Sequence, residues 1–513
     1  MIEAWSAADV RAAEEPLLAA GVPLMERASF ALATQVLRDL RARRRSVRGA
    51  RVALLVGAGN NGGDALHAGA YLARRGVAVT AVLVAERAHA AGLAALRAAG
   101  GRVEALHEAP ERLGGVAGDV ARSDVVLDGL LGIGARGALR GLAADLVRVL
   151  DAGPRPWVVA VDLPSGIGVD DGTVPGPVLR ADRTVTFGAA KPGLLLPPAA
   201  HLVGELTVVD IGLALRAEPA VRRLEPADVG RAWPVPGPGD HKYTRGVVGV
   251  VAGTSTYPGA AVLAASAAVR AGAGMVRYVG PPAVGQAVLA VRPEVVTAPG
   301  RVQAWALGSG VPVGFGTAQA GRDEGQHRRA RTALAEAAGR PGSPVERTVP
   351  AVVDAGGLDL LEPTSPPWFV LTPHAGELAA LLRRRGEDVE REAVEAEPVR
   401  WARRARELTG ATVLLKGSVT VVAGMDGTYA QADAPAWLAT AGSGDVLAGV
   451  LGAMLAARSA DVVGRPALSA EVASATALMH GLAWRRAGQG GPVAALEIAG
   501  AVPAVVADLL PRG

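Results

Sequence analysis

Short apolar runs, each closed by a glycine-rich or polar turn and followed by a helical repeat, recur along this chain and predict alternating strands and helices. Two amphipathic helices come first, over 6–15 and 23–40, the second with Leu24, Met25, Ala28, Leu32 and Val36 on one face. The run 51–56 reads as a buried strand entering Gly57-Ala58-Gly59-Asn60-Asn61-Gly62-Gly63-Asp64, with a helix over 65–75 behind it. Further strands are expected at 77–84, 124–127, 158–161, 183–187 and 205–209. Such alternation implies a parallel sheet covered by helices on both faces, with ligand loops at the carboxyl ends of the strands. From Leu213 to Gly239 the pattern loosens, and Trp233-Pro234-Val235-Pro236-Gly237-Pro238-Gly239 suits neither a helix nor a central strand, so a domain boundary falls here. Beyond it the rhythm resumes: a strand at 247–251, a helix at 260–271, strand-to-loop signals at 304–310, 351–356 and 368–377, and a hairpin over 413–422 with a tight Gly-Ser turn. Spacing and motif content differ from the first half, so the second α/β domain is not a repeat of it.

Composition narrows the picture. The chain has 513 residues, half of them hydrophobic but only 3% aromatic, which suits two domains with cores of Ala, Val and Leu. Without cysteine, disulfides, thiol catalysis and thiolate metal sites are excluded. Net charge is +4, and no basic run with interleaved aromatics points to nucleic acid; the cluster from Arg38 to Arg51 reads as a solvated helix end and loop. The start of the chain turns acidic without a signal pattern, and the uncharged stretch from Gly246 to Val269 is broken by Gly253-Thr254-Ser255-Thr256-Tyr257-Pro258-Gly259, so strand, loop and helix explain it better than a membrane span. A soluble, cytoplasmic protein is expected. Against 50 arginines stand three lysines, Lys191, Lys242 and Lys416, and one adjacent asparagine pair, Asn60-Asn61. Lysines retained in so arginine-rich a chain suggest places where a compact ammonium is needed.

The chemistry gathers in the loops after strands. Gly57–Asp64 contains GxGxxG between a strand and a helix, with Glu86 as a candidate ribose-binding acid. Asp128-Gly129-Leu130-Leu131-Gly132-Ile133-Gly134-Ala135-Arg136-Gly137, Asp162-Leu163-Pro164-Ser165-Gly166 and Gly188-Ala189-Ala190-Lys191-Pro192-Gly193 would bring hard oxygen donors and bare amides to one edge, suited to a group 1 or group 2 cation and a pyrophosphate. Each alone is more commonly a strand-terminating turn. In the second half, Ala439-Thr440-Ala441-Gly442-Ser443-Gly444-Asp445 leads into an apolar helix, an arrangement fit for an anion; an ordinary capped helix explains that stretch alone just as well.

GNNGGD, DGLLGIG, VDLPSG and TFGAAKPG, in this order over residues 1–213, resemble the NAD(P)H-hydrate epimerase domain. The resemblance implies a Rossmann-like three-layer fold that binds potassium. It implies that Asn60, Asn61, Gly62, Gly63, Asp64, Gly132, Ile133, Gly134, Ala135, Arg136, Gly137, Ala138 and Asp162 hold the hydrated dinucleotide. Asn61, Asp128 and Ser165 would ligate potassium, Asp162 would be the acid/base residue at C6 of the nicotinamide, and Lys191 is a candidate second polar group. Ala65 departs from the glycine usual there. After a linker at 214–235, LTPHAGEL, LLKGSVT and ATAGSGDVLAG over 236–513 resemble the ADP-dependent NAD(P)H-hydrate dehydratase domain, with a ribokinase-like α/β fold. On that likeness Lys416, Gly417, Ser418, Val419, Thr420 and Gly444 contact ADP, and Ala261, Gly310, His374 and Asp445 contact the hydrated dinucleotide, with Asp445 catalytic and magnesium accompanying the nucleotide. Without the motif, His374 reads as a capping or core histidine. Gly356 stands where the family often has an aspartate.

Together the resemblances imply a bifunctional metabolite-repair enzyme, an isomerase that epimerises C6 of hydrated NADH or NADPH and a lyase that dehydrates the S epimer while ADP becomes AMP and phosphate. A homo-oligomer is expected, with no nucleic-acid or membrane partner. Two other readings compete: a ribokinase-like small-molecule kinase fused to a dinucleotide-sensing domain, and a non-catalytic first domain that binds a ligand or RNA as a scaffold.

Overall fold

The computed structural model describes residues 1–44, 46–135, 137–312, 324–339 and 348–510. By internal contacts the chain divides into a first unit, Glu3–Val221, and a second running from Arg222 onward together with Met1–Ile2.

In the first unit, β1 (Arg51–Val56), β2 (Ala78–Leu83), β3 (Arg102–Ala105), β4 (Val125–Gly129), β5 (Trp157–Val161), β6 (Arg183–Phe187) and β7 (Glu205–Val209) form one sheet in the order β3-β2-β1-β4-β5-β6-β7. Every neighbouring pair is parallel. The strand order reverses between β1 and β4, which opens a crevice at their carboxyl ends, the usual ligand position in such sheets. Leu54, Leu127, Val159 and Val185 pack on one face against Leu32, Val36 and Leu40 of the helix Leu24–Arg43; Leu55, Val126 and Val158 pack on the other against Leu146 and Val147. These are the three layers expected from the apolar runs. One boundary differs: the helix after β1 starts at Asn60 rather than Ala65. Asn60 to Asp64 therefore form its first turn, where unpaired amides are available, instead of a loop ahead of it.

The second unit's sheet contains β8 (Val247–Val251), β9 (Met275–Tyr278), β10 (Ala304–Leu307), β11 (Ala351–Val353), β12 (Phe369–Leu371), β13 (Thr412–Leu415), β14 (Thr420–Gly424) and β15 (Gly427–Gln431), side by side in the order β15-β14-β13-β12-β11-β10-β8-β9. The pairs from β9 to β13 are parallel. The predicted hairpin is β13–β14, antiparallel, and β15 adds a second antiparallel turn that the sequence pattern did not announce. The helix Ser443–Ala457 is buried on all sides from Val446 to Ala456, packed among the helices Pro258–Arg270, Leu468–Gly488 and Ala495–Leu509. Its apolar residues all around mark it as a core helix. Among the described residues no single helix is long and apolar enough to cross a membrane.

A buried ion pair ties the first unit's helix Leu24–Arg43 to its sheet. Arg183 Nε on β6 donates to Asp39 Oδ2 at 3.0 Å, and Trp157 Nε1 donates to the same oxygen at 3.3 Å. The guanidinium also donates to Thr207 Oγ1 at 3.1 Å and Glu205 Oε2 at 2.8 Å. Removing Asp39 leaves the largely buried Arg183 guanidinium with only the exposed Glu205 as a charged partner. Asp39→Ala is expected to destabilise the first unit by roughly 3–5 kcal/mol, measured by chemical denaturation.

Candidate functional site

The ends of β1, β4, β5 and β6 converge on a cavity of about 570 Å³ in the first unit. It is lined by Asn60, Asn61, Asp64, Gly132, Ile133, Gly134, Ala135, Asp162 and Lys191 from the predicted set, and by Arg11 and Glu14 of the helix Ala7–Ala19, which no motif had marked. Arg11 Nη2 donates to Ile133 O at 2.6 Å, tying that helix to the glycine-rich loop. Gly62, Gly63, Gly137, Ala138, Asp128 and Ser165 lie outside the lining, and Arg136 lies outside the described residues.

Asp162 follows β5 in a left-handed conformation (φ 65°), uncommon for a residue with a Cβ. Its Oδ1 accepts from Lys191 Nζ at 2.5 Å, Thr186 Oγ1 at 2.9 Å and Phe187 N at 3.3 Å. With three donors on one oxygen, Oδ2 is the oxygen left for a ligand. Lys191, 2% exposed, is held there by Thr186 Oγ1 at 2.9 Å and Phe187 O at 3.1 Å. Two more acids share the cavity. Burial, then the Asp162 charge, pushes Asp64 up to about 8, against a single 3.3 Å hydrogen bond from Ser29 Oγ. Burial also raises Glu14, opposed by the Lys191 charge.

Deeper, Asp128 is fully buried and accepts from Ser165 Oγ at 2.6 Å, Ser165 N at 2.8 Å and Leu130 N at 3.3 Å. Among the described residues no cation lies beside it, and burial raises its pKa. Asn61 Nδ2 donates to Leu131 O at 2.7 Å and Val161 O at 2.8 Å, fixing which amide atom is free.

In the second unit, Gly442 takes a left-handed turn (φ 88°) immediately before Ser443–Ala457, and Asp445 lies in that helix's first turn. Burial and the neighbouring Asp354 raise Asp445 to about 6, while Ser309 and Lys416 oppose the rise. Asp354, just after β11, is 2% exposed and accepts from Lys416 Nζ at 2.8 Å, Thr372 Oγ1 at 2.9 Å and Ser309 Oγ at 2.9 Å. Burial works to lower the Lys416 pKa, but Asp354, Glu377 and Asp445 outweigh it and the pKa is raised. Lys416 Nζ is 3.7 Å from Glu377 Oε2, and a Cβ placed on Gly444 would lie 3.4 Å from it. The lysine thus joins the turn to the carboxylates.

Of the remaining predicted residues, His374 caps the helix Ala375–Arg384: its Nδ1 accepts from Gly376 N at 3.1 Å and Glu377 N at 3.2 Å, and its side chain is 57% exposed. Gly310 packs its backbone near Gly253 and Tyr257 O; Ala261, Val419 and Thr420 are buried and back the site, while Gly417 and Ser418 are exposed at the β13–β14 turn. Asp354, Glu377 and Ser309 were missed, although an aspartate directly after a buried strand was a usable signal. Gly356 has no room for a side chain, since its Cβ would meet Val311 O at 2.2 Å.

Unfolded, Asp64 returns to the ordinary carboxylate range, so between about pH 4 and pH 8 the folded chain holds an extra proton and stability falls as pH rises. Asp64→Asn, which cannot ionise, is expected to raise the first unit's melting temperature at pH 8 and change it little at pH 4, read by calorimetry.

Residues 22–193 match the family model described as YjeF-related protein N-terminus, and residues 248–496 match the one described as NAD(P)H-hydrate dehydratase. The bifunctional NAD(P)H-hydrate repair enzyme Nnr of Mycobacterium tuberculosis is 45% identical over 470 residues, covering 88% of this chain and 89% of its own. The NAD(P)H-hydrate epimerase of Clavibacter michiganensis subsp. michiganensis is 47% identical over 229 residues, 43% of this chain and 95% of its own. Among solved structures, the ADP/ATP-dependent NAD(P)H-hydrate dehydratase from Bacillus subtilis, co-crystallized with ATP/Mg2+, aligns at 23% identity and TM-score 0.44 over 56% of this chain and 97% of that chain. With both models matched in order and a two-part relative covered over most of its length, the chain belongs to the bifunctional NAD(P)H-hydrate repair enzymes, epimerase and dehydratase in one polypeptide.

Proposed function

We propose that residues 1–213 epimerise C6 of hydrated NADH or NADPH in the cavity around Asp162, and that residues 236–513, beyond the linker 214–235, dehydrate the S epimer while ADP becomes AMP and phosphate. The observation that carries the reading is the Asp445–Ser309–Asp354–Lys416 cluster at the start of a buried helix: a carboxylate able to take a proton, beside amides and a cation able to face a phosphate. Relatives named for the same substrate in both halves favour repair over a kinase joined to a dinucleotide sensor.

In the epimerase half, Asn60 to Asp64 and Gly132 to Ala138 hold the dinucleotide. Oδ2 of Asp162 takes the proton of the C6 hydroxyl as the bond from ring nitrogen to C6 opens to an aldehyde, and Asp64, protonated in the neutral range, gives its proton to that nitrogen. Rotation and reversal of both transfers close the ring with the other configuration. Lys191, 2.5 Å from Oδ1, holds Asp162 in orientation. Asn61, Asp128 and Ser165 would hold potassium; a buried carboxylate with no cation beside it, among neutral oxygens, fits a large monovalent ion. When bound, the ion supplies a fixed positive charge that offsets Asp128.

In the dehydratase half, Asp445 takes the hydroxyl proton, the oxygen attacks the terminal phosphate of ADP, and phosphate then leaves while C5 loses a proton and the ring double bond returns. The amides of Gly442 to Gly444 face the charge on the transferring group. Lys416 to Thr420 and Gly444 place the nucleotide; Ala261, Gly310 and His374 border the dinucleotide. Among the described residues no cluster of three or more His, Asp or Glu side chains is set to hold a metal, which suits magnesium carried mainly by the nucleotide's phosphates.

Given both epimers and ADP, the wild-type chain should recover all the reduced cofactor by absorbance. Asp162→Asn should recover only the S fraction; unchanged recovery of the R epimer would sink the assignment. Asp445→Asn should lower dehydration kcat/KM by about 10²–10⁴ and spare epimerisation. Because Asp445 must be ionised to accept a proton and its pKa is raised to about 6, dehydration should fall about tenfold per pH unit below that value and level off above it.

A further inference from the structure

The second unit holds a cavity that the chemistry above does not use. It measures about 420 Å³, inside the range of about 300–1,000 Å³ usual for small-molecule sites. Thr244 and Arg245 line it just ahead of β8, and Arg270 and Gly272 line it just ahead of β9, so it lies at the amino ends of these strands. Ser309, Asp354 and Lys416 follow β10, β11 and β13 at the opposite, carboxyl ends. The inner wall is made by Ala453, Met454 and Ala457, at the far end of the helix that begins at Ser443. From Asp445 to Met454 is roughly 13 Å along the helix axis. The cavity is therefore separate from the dehydration site.

Its lining has two characters. Trp233, Met454, Val506 and Leu510 supply apolar surface, and the prolines that follow Trp233 stiffen the chain there. Arg245 and Arg270 supply charge. Arg245 Nη2 donates to Gly272 O at 2.9 Å. Arg270 Nη2 donates at 2.6 Å to the carbonyl of Gly500, which lies three residues before Pro503 in the helix Ala495–Leu509; the proline has no N–H and interrupts that helix's ladder. Each guanidinium is thus fixed through one nitrogen by a backbone carbonyl, and Arg270 Nε is buried with no hydrogen-bond partner. Among the described residues neither arginine forms an ion pair. The other polar side chains of the lining serve their own turn: Asp240 Oδ2 accepts from Gly237 N at 2.7 Å, and Thr244 Oγ1 donates to His241 O at 3.0 Å. Two arginines against one aspartate leave a single net positive charge beside an apolar wall. A guanidinium offers a carboxylate two parallel N–H groups, so the charge and its geometry match a monoanion of that kind. We infer that this cavity binds an organic monocarboxylate, with its carboxylate on Arg245 and Arg270 and its apolar body against Trp233, Met454, Val506 and Leu510. A neutral apolar molecule would leave the guanidiniums unpaired, and a phosphate dianion would leave charge uncompensated and the apolar wall uncovered.

Binding here is independent of the two reactions proposed above. The test titrates octanoate into the full chain by isothermal calorimetry, beside 1-octanol, which has a similar body without the charge, acetate, which has the charge without the body, and inorganic phosphate. Octanoate should bind saturably and more tightly than all three, and excess ADP should not displace it. Arg270→Met, which keeps an apolar stem and removes the charge, should weaken octanoate binding about tenfold to a hundredfold and leave recovery of reduced cofactor at the wild-type level. Arg245→Met, at an exposed side chain, should weaken it in the same direction and decides the matter if Arg270→Met fails to fold. No saturable binding at millimolar octanoate overturns the inference. So does equal binding of octanol, acetate or phosphate, displacement by ADP, or wild-type affinity in the folded arginine variants.

Discussion

A lysine facing the carboxylate that follows a buried strand is the constraint on which both sites depend. Lys191 stands 2.5 Å from Asp162 after β5, and Lys416 stands 2.8 Å from Asp354 after β11. Parallel sheets present strand ends in a low-dielectric crevice, where a lone carboxylate gives up its charge. A compact ammonium with three donors can sit between a carboxylate, a hydroxyl and a carbonyl in a space too small for a planar guanidinium. That is the work of two of the three lysines in a chain that otherwise uses arginine.

The same pairing sorts the acids. In each site one carboxylate is bonded to the lysine, and a second carboxylate nearby has a raised pKa: Asp64 at about 8 and Asp445 at about 6. Unequal carboxylates in one pocket are a general route to having acid and base together near neutral pH. The backbone supplies the rest, through helix starts at Asn60 and Ser443 whose first amides have no partner within their own helix.

Much of this was legible in the sequence. Continuous apolar runs fix buried parallel strands because both faces are covered, so β1, β5, β6 and β8 fell where expected. The scarcity of lysine pointed to Lys191 and Lys416 before any coordinate did. What was not legible depends on distance in space rather than along the chain. Glu14 lies on an ordinary amphipathic helix and reaches the cavity only through packing. Asp354 looked like the end of a strand, and its partners Ser309, Thr372 and Lys416 come from three other strand ends. The start at Asn60 was hidden because glycine pairs read as loop, although a helix's first turn tolerates them. β15 was hidden because its short mixed run is recognisable only once β14 is there to pair with it.

The left-handed backbone at Asp162 bears on how this chain can drift. A residue with φ 65° that also carries the proton in the proposed epimerisation has few viable neighbours in sequence space: glycine and asparagine keep the turn, and neither can act as a base. On that proposal, the substitutions most readily tolerated by the fold are the ones that silence epimerisation while leaving the first unit folded. Decay at this position yields a lineage that has lost one activity and kept an intact polypeptide, so sequence similarity and fold alone would still suggest two enzymes where only one remains.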